Sequence, residues 1–352
     1  MLNPSRNLIN TTTIIIPVVL ALVLIISSQL SFLLFHTLAE FFAIIVALLS
    51  AVVAWQMYTF TRNHFLMYLG CGYFWIASLD MLHTLSYEGL SILDTTGTNV
   101  AVQFWIGTRI LEALLLLSSP WFLTRPVNPK IAISLFAFIS VSLTALILTK
   151  NFPIGFIEGK GLTDFKIYSE YLIILMLAGA IYYLSLQRRL LDQRIFKLIV
   201  ASIALTMMAE LSFTFYVSIY GLSNISGHIF KLFSFWLIFI AVVRTTLREP
   251  FSAMSKAETH YDAIPDAAII VDNKGIIQHV NKAACSLANL TSIELIGQQA
   301  HHIFHNKNEN ESLCNICNSV KNRTELSAYE LEFSETTWFD ISISPIDGEE
   351  SL

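Results

Sequence analysis

The stretch YLGCGYFWIASLDMLHTLSYEG, residues 68–89, decides the fold. With its flanks it is apolar for about 20 residues, the length needed to cross a bilayer. Its second half nevertheless carries Asp80 and His83, three apart, and Glu88 where the apolar run ends. Residues three apart share a helix face. An ionisable group in hydrocarbon costs a few kcal/mol even on lenient insertion scales, so such groups pair and face inward. The stretch therefore reads as one helix of a membrane bundle whose polar face meets other helices.

The surrounding composition agrees. Of 352 residues, 55% are hydrophobic and only 13% are charged, against about 25% charged in ordinary soluble domains. Residues 14–247 are mostly long apolar runs, whereas 255–352 alternate polar and apolar residues as a soluble domain does. The net charge of -5 leaves no footprint for nucleic acid, and four cysteines are too few for a disulfide framework.

Eight spans are expected, at about 14–35, 38–60, 65–85, 101–123, 131–149, 168–187, 196–220 and 228–247. No small-residue cleavage site follows the first, which reads as an anchor and not a removed signal peptide. Residues 1–13 form an N-terminal tail, 14–247 the membrane domain, 248–256 a linker helix and 257–352 a soluble domain. With the N-terminus inside, the inner segments hold Arg6, Arg62, Arg125, Lys130, Arg188, Arg189, Arg194, Lys197, Arg244 and Arg248. The outer loops hold Lys150, Lys160 and Lys166. This bias, with an even number of spans, places both termini in the cytoplasm.

On that topology the polar residues gather in the outer half. His36 and Glu40 fall in the hairpin between spans one and two. Asp80 and His83 end span three. Arg109 and Glu112 sit below Trp105 in span four, Glu210 lies inside span seven, and His228 and Lys231 begin span eight. Two readings stay open. These groups hold the bundle together by pairing, or they line a small-molecule pocket with apolar walls and a few convergent polar groups. Three histidines with two acids could also ligate a metal.

The segments HTLAEFF (36–42), WQMYTFTRN (55–63), residues 68–89 and QFWIGTRILEALLLLSSP (103–120) resemble the third type of membrane-associated sensor domain. That family is a bacterial inner-membrane input module placed before PAS domains, histidine kinases of two-component systems, or GGDEF and EAL domains of cyclic di-GMP signalling. The resemblance covers about 14–247. It implies sensory input, the lipid bilayer as surroundings, an unidentified small ligand, and a homodimer. It assigns no ligand chemistry.

The tail segment YDAIPDAAIIVDNKGIIQHVNKAA (261–284) resembles a PAS domain, and the match runs over about 257–350. Independently, alternating apolar residues flank a Lys274–Gly275 turn, and Asn281 is a good N-cap. Helices are expected near 292–305 and 312–321, with one strand ending at Asp272 and others near 276–280, 326–333 and 337–345. A PAS sheet has five strands, so the α/β domain reads as cut before its last. An output domain, kinase or diguanylate cyclase, is expected in cis beyond Leu352. No kinase H-box, nucleotide-binding glycine loop or GGDEF run is present, so this chain reads as no enzyme.

HHIFHNKNENESLCNICNSV (301–320) holds one more constellation. His301 and His305 are four apart, and Cys314 and Cys317 form C-x-x-C. Together they could make a tetrahedral metal site, act as a reversible thiol switch, or be ordinary surface residues. Three function classes thus remain. They are a receptor with an outer pocket, a transporter or channel with a regulatory PAS domain, and metal or redox sensing in the tail. Few spans contain Pro or paired Gly, which weakens the transporter reading.

Overall fold

The computed structural model describes residues 4–90, 98–214, 221–304, 314–334 and 337–345. The chain forms two compact units, Met1–Pro250 and Phe251–Leu352.

The first unit is helical: α1 Pro4–Leu30, α2 Phe32–Thr61, α3 His64–Leu85, α4 Thr98–Ser118, α5 Pro129–Leu148, α6 Asp164–Leu186, α7 Gln193–Thr214 and α8 Leu222–Val243. A two-residue hairpin, β1 Phe156–Ile157 with β2 Gly161–Leu162, precedes α6. Among the described residues, seven helices, α2 to α8, are long and apolar enough to cross a membrane by length and composition, and α1 carries a shorter apolar stretch, Ile14–Leu30. The expected first span, 14–35, is corrected at its end, which falls at Leu30. Its apolar pattern continues past a break at Ser31, whose backbone is extended (φ -160°, ψ 129°) and whose Oγ accepts the Leu34 N–H. That N-cap starts α2 at Phe32.

α3 and α4 are central, buried on nearly every face, as expected of helices apolar all round. α2 packs closely on α3 where Gly70 meets Ala51 and Ala54; a Cβ at Gly70 would lie 2.8 Å from that of Ala54. Small residues permit this backbone approach. By contrast, α5 exposes Ile131, Leu135, Phe138 and Val141, and α6 exposes Leu172, Leu175 and Tyr182. Such contiguous apolar surface suits lipid. α7 and α8 are joined by hydroxyls: Ser202 Oγ lies 2.9 Å from Ser234 Oγ, which lies 2.7 Å from Thr206 Oγ1.

At one end of the bundle α2, α4, α6 and α8 begin, and α3 and α7 finish. There Gln103 Nε2 donates to the carbonyls of Phe152 and Pro153, each at 2.9 Å. Asn99 Oδ1 accepts the N–H groups of Gly155 (2.9 Å) and Phe156 (3.0 Å). These bonds tie the α5–α6 connection to the first turns of α4.

After α8 the chain passes through a π-helical turn, Arg244–Arg248, into α9, Glu249–Asp262. In the second unit β3 Ile269–Val271 pairs antiparallel with β4 Ile277–Val280. Their turn is held by Asp272 Oδ1, which accepts the N–H groups of Lys274 and Ile276, and Gly275 takes the positive φ of 76° that the turn requires. Asn281 caps α10, Lys282–Ala288, by accepting the Ala284 N–H. α11 Ser292–Leu295, α12 Ala300–Phe304 and α13 Asn315–Asn322 follow, then β5 Leu326–Ser334 antiparallel to β6 Thr337–Ile343. The single helix expected over 292–305 is corrected to two. Gly297, at φ 84°, breaks it and donates its N–H to Ile277 of β4 at 2.8 Å.

Candidate functional site

The converging helix ends enclose a cavity of about 380 Å³. Each helix there supplies a side chain: His36 from α2, His83 from α3, Trp105 from α4, Lys166 from α6, Phe213 from α7 and His228 from α8. The rings touch in series. His36 stacks on Tyr87 with centroids 3.7 Å apart, and its ring lies 5.0 Å from His228 and 5.4 Å from His83. His83 lies 5.4 Å from Trp105, and Phe213 5.2 Å from His228. His83 Nδ1 is 2.8 Å from the Ala101 carbonyl, so it carries the proton and donates. Its Nε2 is thereby left with its lone pair, buried and without a hydrogen-bond partner.

One turn deeper lies a layer of buried ions. Arg109 Nη2 donates to both oxygens of Asp80 at 2.7 Å, and Nη1 donates to Glu112. The other Glu112 oxygen is 3.5 Å from the Tyr73 hydroxyl. Lys231 Nζ is 2.6 Å from Glu40 Oε2 and 3.3 Å from Asp80 Oδ2. Glu40 Oε1 is 3.2 Å from His228 Nδ1, close enough for an ion pair, but the alignment is poor and neither atom has a hydrogen-bond partner. The Trp105 ring covers both cations, 4.9 Å from the Arg109 guanidinium and 4.7 Å from Lys231 Nζ, which supports them where water does not. Pairing and hydrogen bonding of this kind are what make charges tolerable at such depth.

These polar groups on a bundle of apolar helices have a counterpart among known families. Residues 27–250 match the membrane-associated sensor domain. The chain belongs to that family. Residues 265–352 match the PAS domain, so the sensor domain is followed by a second sensory module. No curated protein and no solved structure matches the chain.

The sensor domain sorts the nine residues singled out in its sequence into three places. His36, His83, Trp105 and His228 line the cavity. Glu40, Asp80, Arg109 and Glu112 form the ion layer beneath it. Glu210 lies between the ion layer and a second group, with Glu170 and Lys166 on one side and Arg109 and Glu112 on the other. Two placements are corrected. His36 and Glu40 are in the opening turns of α2 and not in a hairpin, because Ser31 breaks the chain earlier. His228 and Lys231 lie inside α8, which already begins at Leu222.

Lys166, expected in an outer loop, is corrected as well. It lies in the first turn of α6, is 4% exposed, pairs with Glu170, and donates to the Phe213 carbonyl at 3.3 Å. Thr214 Oγ1 donates to the other Glu170 oxygen at 2.7 Å. The signal was present: Thr163 followed by Asp164 is an N-cap pattern, and the Thr163 Oγ1 accepts the Lys166 N–H. Tyr87, Phe213 and Asn224 also line the cavity. As neutral side chains near helix ends they give no sequence signal of their own.

In the PAS domain, His301, Cys314 and Cys317 offer one donor atom each, all within 4.8 Å of one another. Cys317 Sγ is 3.3 Å from His301 Nδ1, and Cys314 is buried in a cluster with Ile316. His305, the fourth member expected from the sequence, lies outside the described residues.

Proposed function

We propose that this chain is the input module of a bacterial signalling protein, in which a small ligand enters the cavity among His36, His83 and His228. The observation that carries this reading is the position of α8. It supplies His228 to the cavity wall and Lys231 to the ion layer, and its chain continues in helical turns toward the PAS domain. A ligand that binds better to one position of α8 than another shifts that equilibrium by its differential affinity. The basic residues Arg62, Arg125, Lys130, Arg188, Arg189, Arg194 and Arg244 lie at the helix ends opposite the cavity. That bias supports a cavity on the outer face of the inner membrane and a cytoplasmic PAS domain. The proposed module works as a homodimer and feeds an output domain fused to the PAS domain.

The test is thermal unfolding of the full chain in lipid nanodiscs against small amines, carboxylic acids and divalent metals, with His228→Ala beside it. A ligand at about 100 times its Kd stabilises by roughly 2.7 kcal/mol. Stabilisation by one chemical class in the parent and not in the variant supports the reading. If no class stabilises the parent, the receptor reading fails.

A second reading is favoured by the convergence of His301, Cys314 and Cys317: the PAS domain senses a metal through one imidazole and two thiolates. Metal content of the full chain, compared with Cys314→Ser/Cys317→Ser, decides it. Equal content in both would remove this reading.

A further inference from the structure

We propose that His36, Glu40 and His228 bind a divalent transition-metal ion between the cavity and the ion layer. This deepens the receptor reading and rests on it, naming the ligand class of the same site.

The donor geometry is the first support. The three side chains each place a ligand atom within 4.8 Å of the other two. Glu40 Oε1 and His228 Nδ1 are 3.2 Å apart. Bonds of about 2.0–2.1 Å at a tetrahedral centre set neighbouring donors about 3.3 Å apart, so this separation is already that of a coordination edge. Two imidazoles and a carboxylate are donors that zinc, nickel, copper or ferrous iron accept.

The second support is what these atoms lack. His36 Nδ1, Glu40 Oε1 and His228 Nδ1 are all buried without a hydrogen-bond partner. Their residues are 2%, 0% and 4% exposed. Buried polar atoms are almost always partnered, and here the residues that carry the three unpartnered atoms are the same three whose donor atoms converge. Lys231 takes the other oxygen of Glu40 and so turns Oε1 toward the histidines, which is how outer groups orient a ligating carboxylate.

The third support is charge. Among the described residues, the ion pairs beneath the cavity join three carboxylates, Glu40, Asp80 and Glu112, to two cations, Arg109 and Lys231. Three less two leaves one negative charge in a medium that tolerates little net charge. A bound cation supplies positive charge at the place where the donors converge. The cavity reaches His36 and His228, giving the ion a route in and a further coordination position for water or a small ligand. His83, whose Nε2 is also unpartnered, stands beside it.

The experiment uses the full chain carrying Cys314→Ser and Cys317→Ser, which removes the thiolate donors of the PAS domain. The protein is stripped with a chelator and titrated with Co2+. Stoichiometric visible bands of tetrahedral or five-coordinate cobalt are expected, with affinity falling at least ~10-fold in His36→Gln and in His228→Gln. X-ray absorption of the zinc-loaded parent, which needs no variant at the site to fold, should show a nitrogen and oxygen shell at about 2.0–2.1 Å with imidazole scattering. No stoichiometric metal in the parent overturns the proposal. So does unchanged affinity in both histidine variants, or a shell without imidazole. If Co2+ fails while ethylammonium raises the unfolding temperature of the same chain and His228→Ala abolishes that rise, the metal falls and the receptor stands. If neither probe binds, both fall.

Discussion

Lys231 of α8 donates to Glu40 of α2 across 2.6 Å, and both side chains are at least 96% buried. The last helix of the bundle is thereby fastened to the second by one charge pair. That pair also touches Asp80 of α3, so three helices meet at a single ammonium group.

Removing that ammonium leaves Glu40 buried beside uncompensated acids. Lys231→Met is expected to destabilise the sensor domain by about 3–5 kcal/mol, the usual cost of stripping one partner from a buried pair. The double variant Lys231→Met/Glu40→Gln should recover part of the loss. Reversible unfolding in mixed micelles measures both. A single variant as stable as the parent would show that the pair carries no net energy.

Arg109 is held by a planar fork, with one nitrogen on both Asp80 oxygens and another on Glu112. A lysine keeps the charge but cannot span the two carboxylates. Arg109→Lys should therefore cost about 1.5–3 kcal/mol, the worth of a hydrogen bond to a charged group. The same unfolding assay would show Arg109→Lys matching the parent if charge alone mattered.

Gly227 sits against the Phe213 ring, and a Cβ there would overlap it. Because Phe213 lines the cavity, Gly227→Ala should push the ring inward and cost about 1–3 kcal/mol of overpacking. Ligand-induced stabilisation should shrink in this variant, although no donor is removed. Full retention of that stabilisation would mean the ring yields away from the cavity.

In the PAS domain, the N–H and Oγ1 of Thr291 both donate to Glu294, each at 2.8 Å, and hold its carboxyl below the usual carboxylate range. A depressed folded value means the contribution is present above the unfolded value and is lost as pH falls through the folded one. Amide exchange across 292–296 should be faster in Glu294→Ala than in the parent at neutral pH, and the difference should close in acid. A difference that stays constant with pH would assign the effect to helix propensity.

Much of this arrangement was legible because ionisable residues in apolar runs need partners. Asp80, Arg109 and Glu112 declared themselves by depth, and the structure pairs them. What sequence could not give was depth along the axis. The break that seats His36 inside α2 is marked by the polar residues Ser27, Ser28, Gln29 and Ser31, yet a single span expected over 14–35 runs across them. Lys166 reads as a loop charge because the apolar run of the sixth span begins at 168, yet the Thr163 cap starts α6 at Asp164. In the tail, strand alternation and Asn281 mark the first hairpin, while the break at Gly297 rests on one residue with a positive φ and leaves the helical pattern on either side intact. C-x-x-C spacing brought Cys314 to Cys317, but the 13 residues back to His301 carry no periodicity that would join them.

Glu40 and Lys231 are 191 residues apart in the chain, whereas Asp80 and Arg109 are separated by 29. The order of synthesis therefore gives the two pairs different histories. Asp80 meets its arginine as soon as the next helix enters the bilayer. Glu40 enters early and waits for its lysine until the eighth helix arrives, so a nascent chain stalled before α8 exposes an unmatched acid to the quality-control proteases of the membrane.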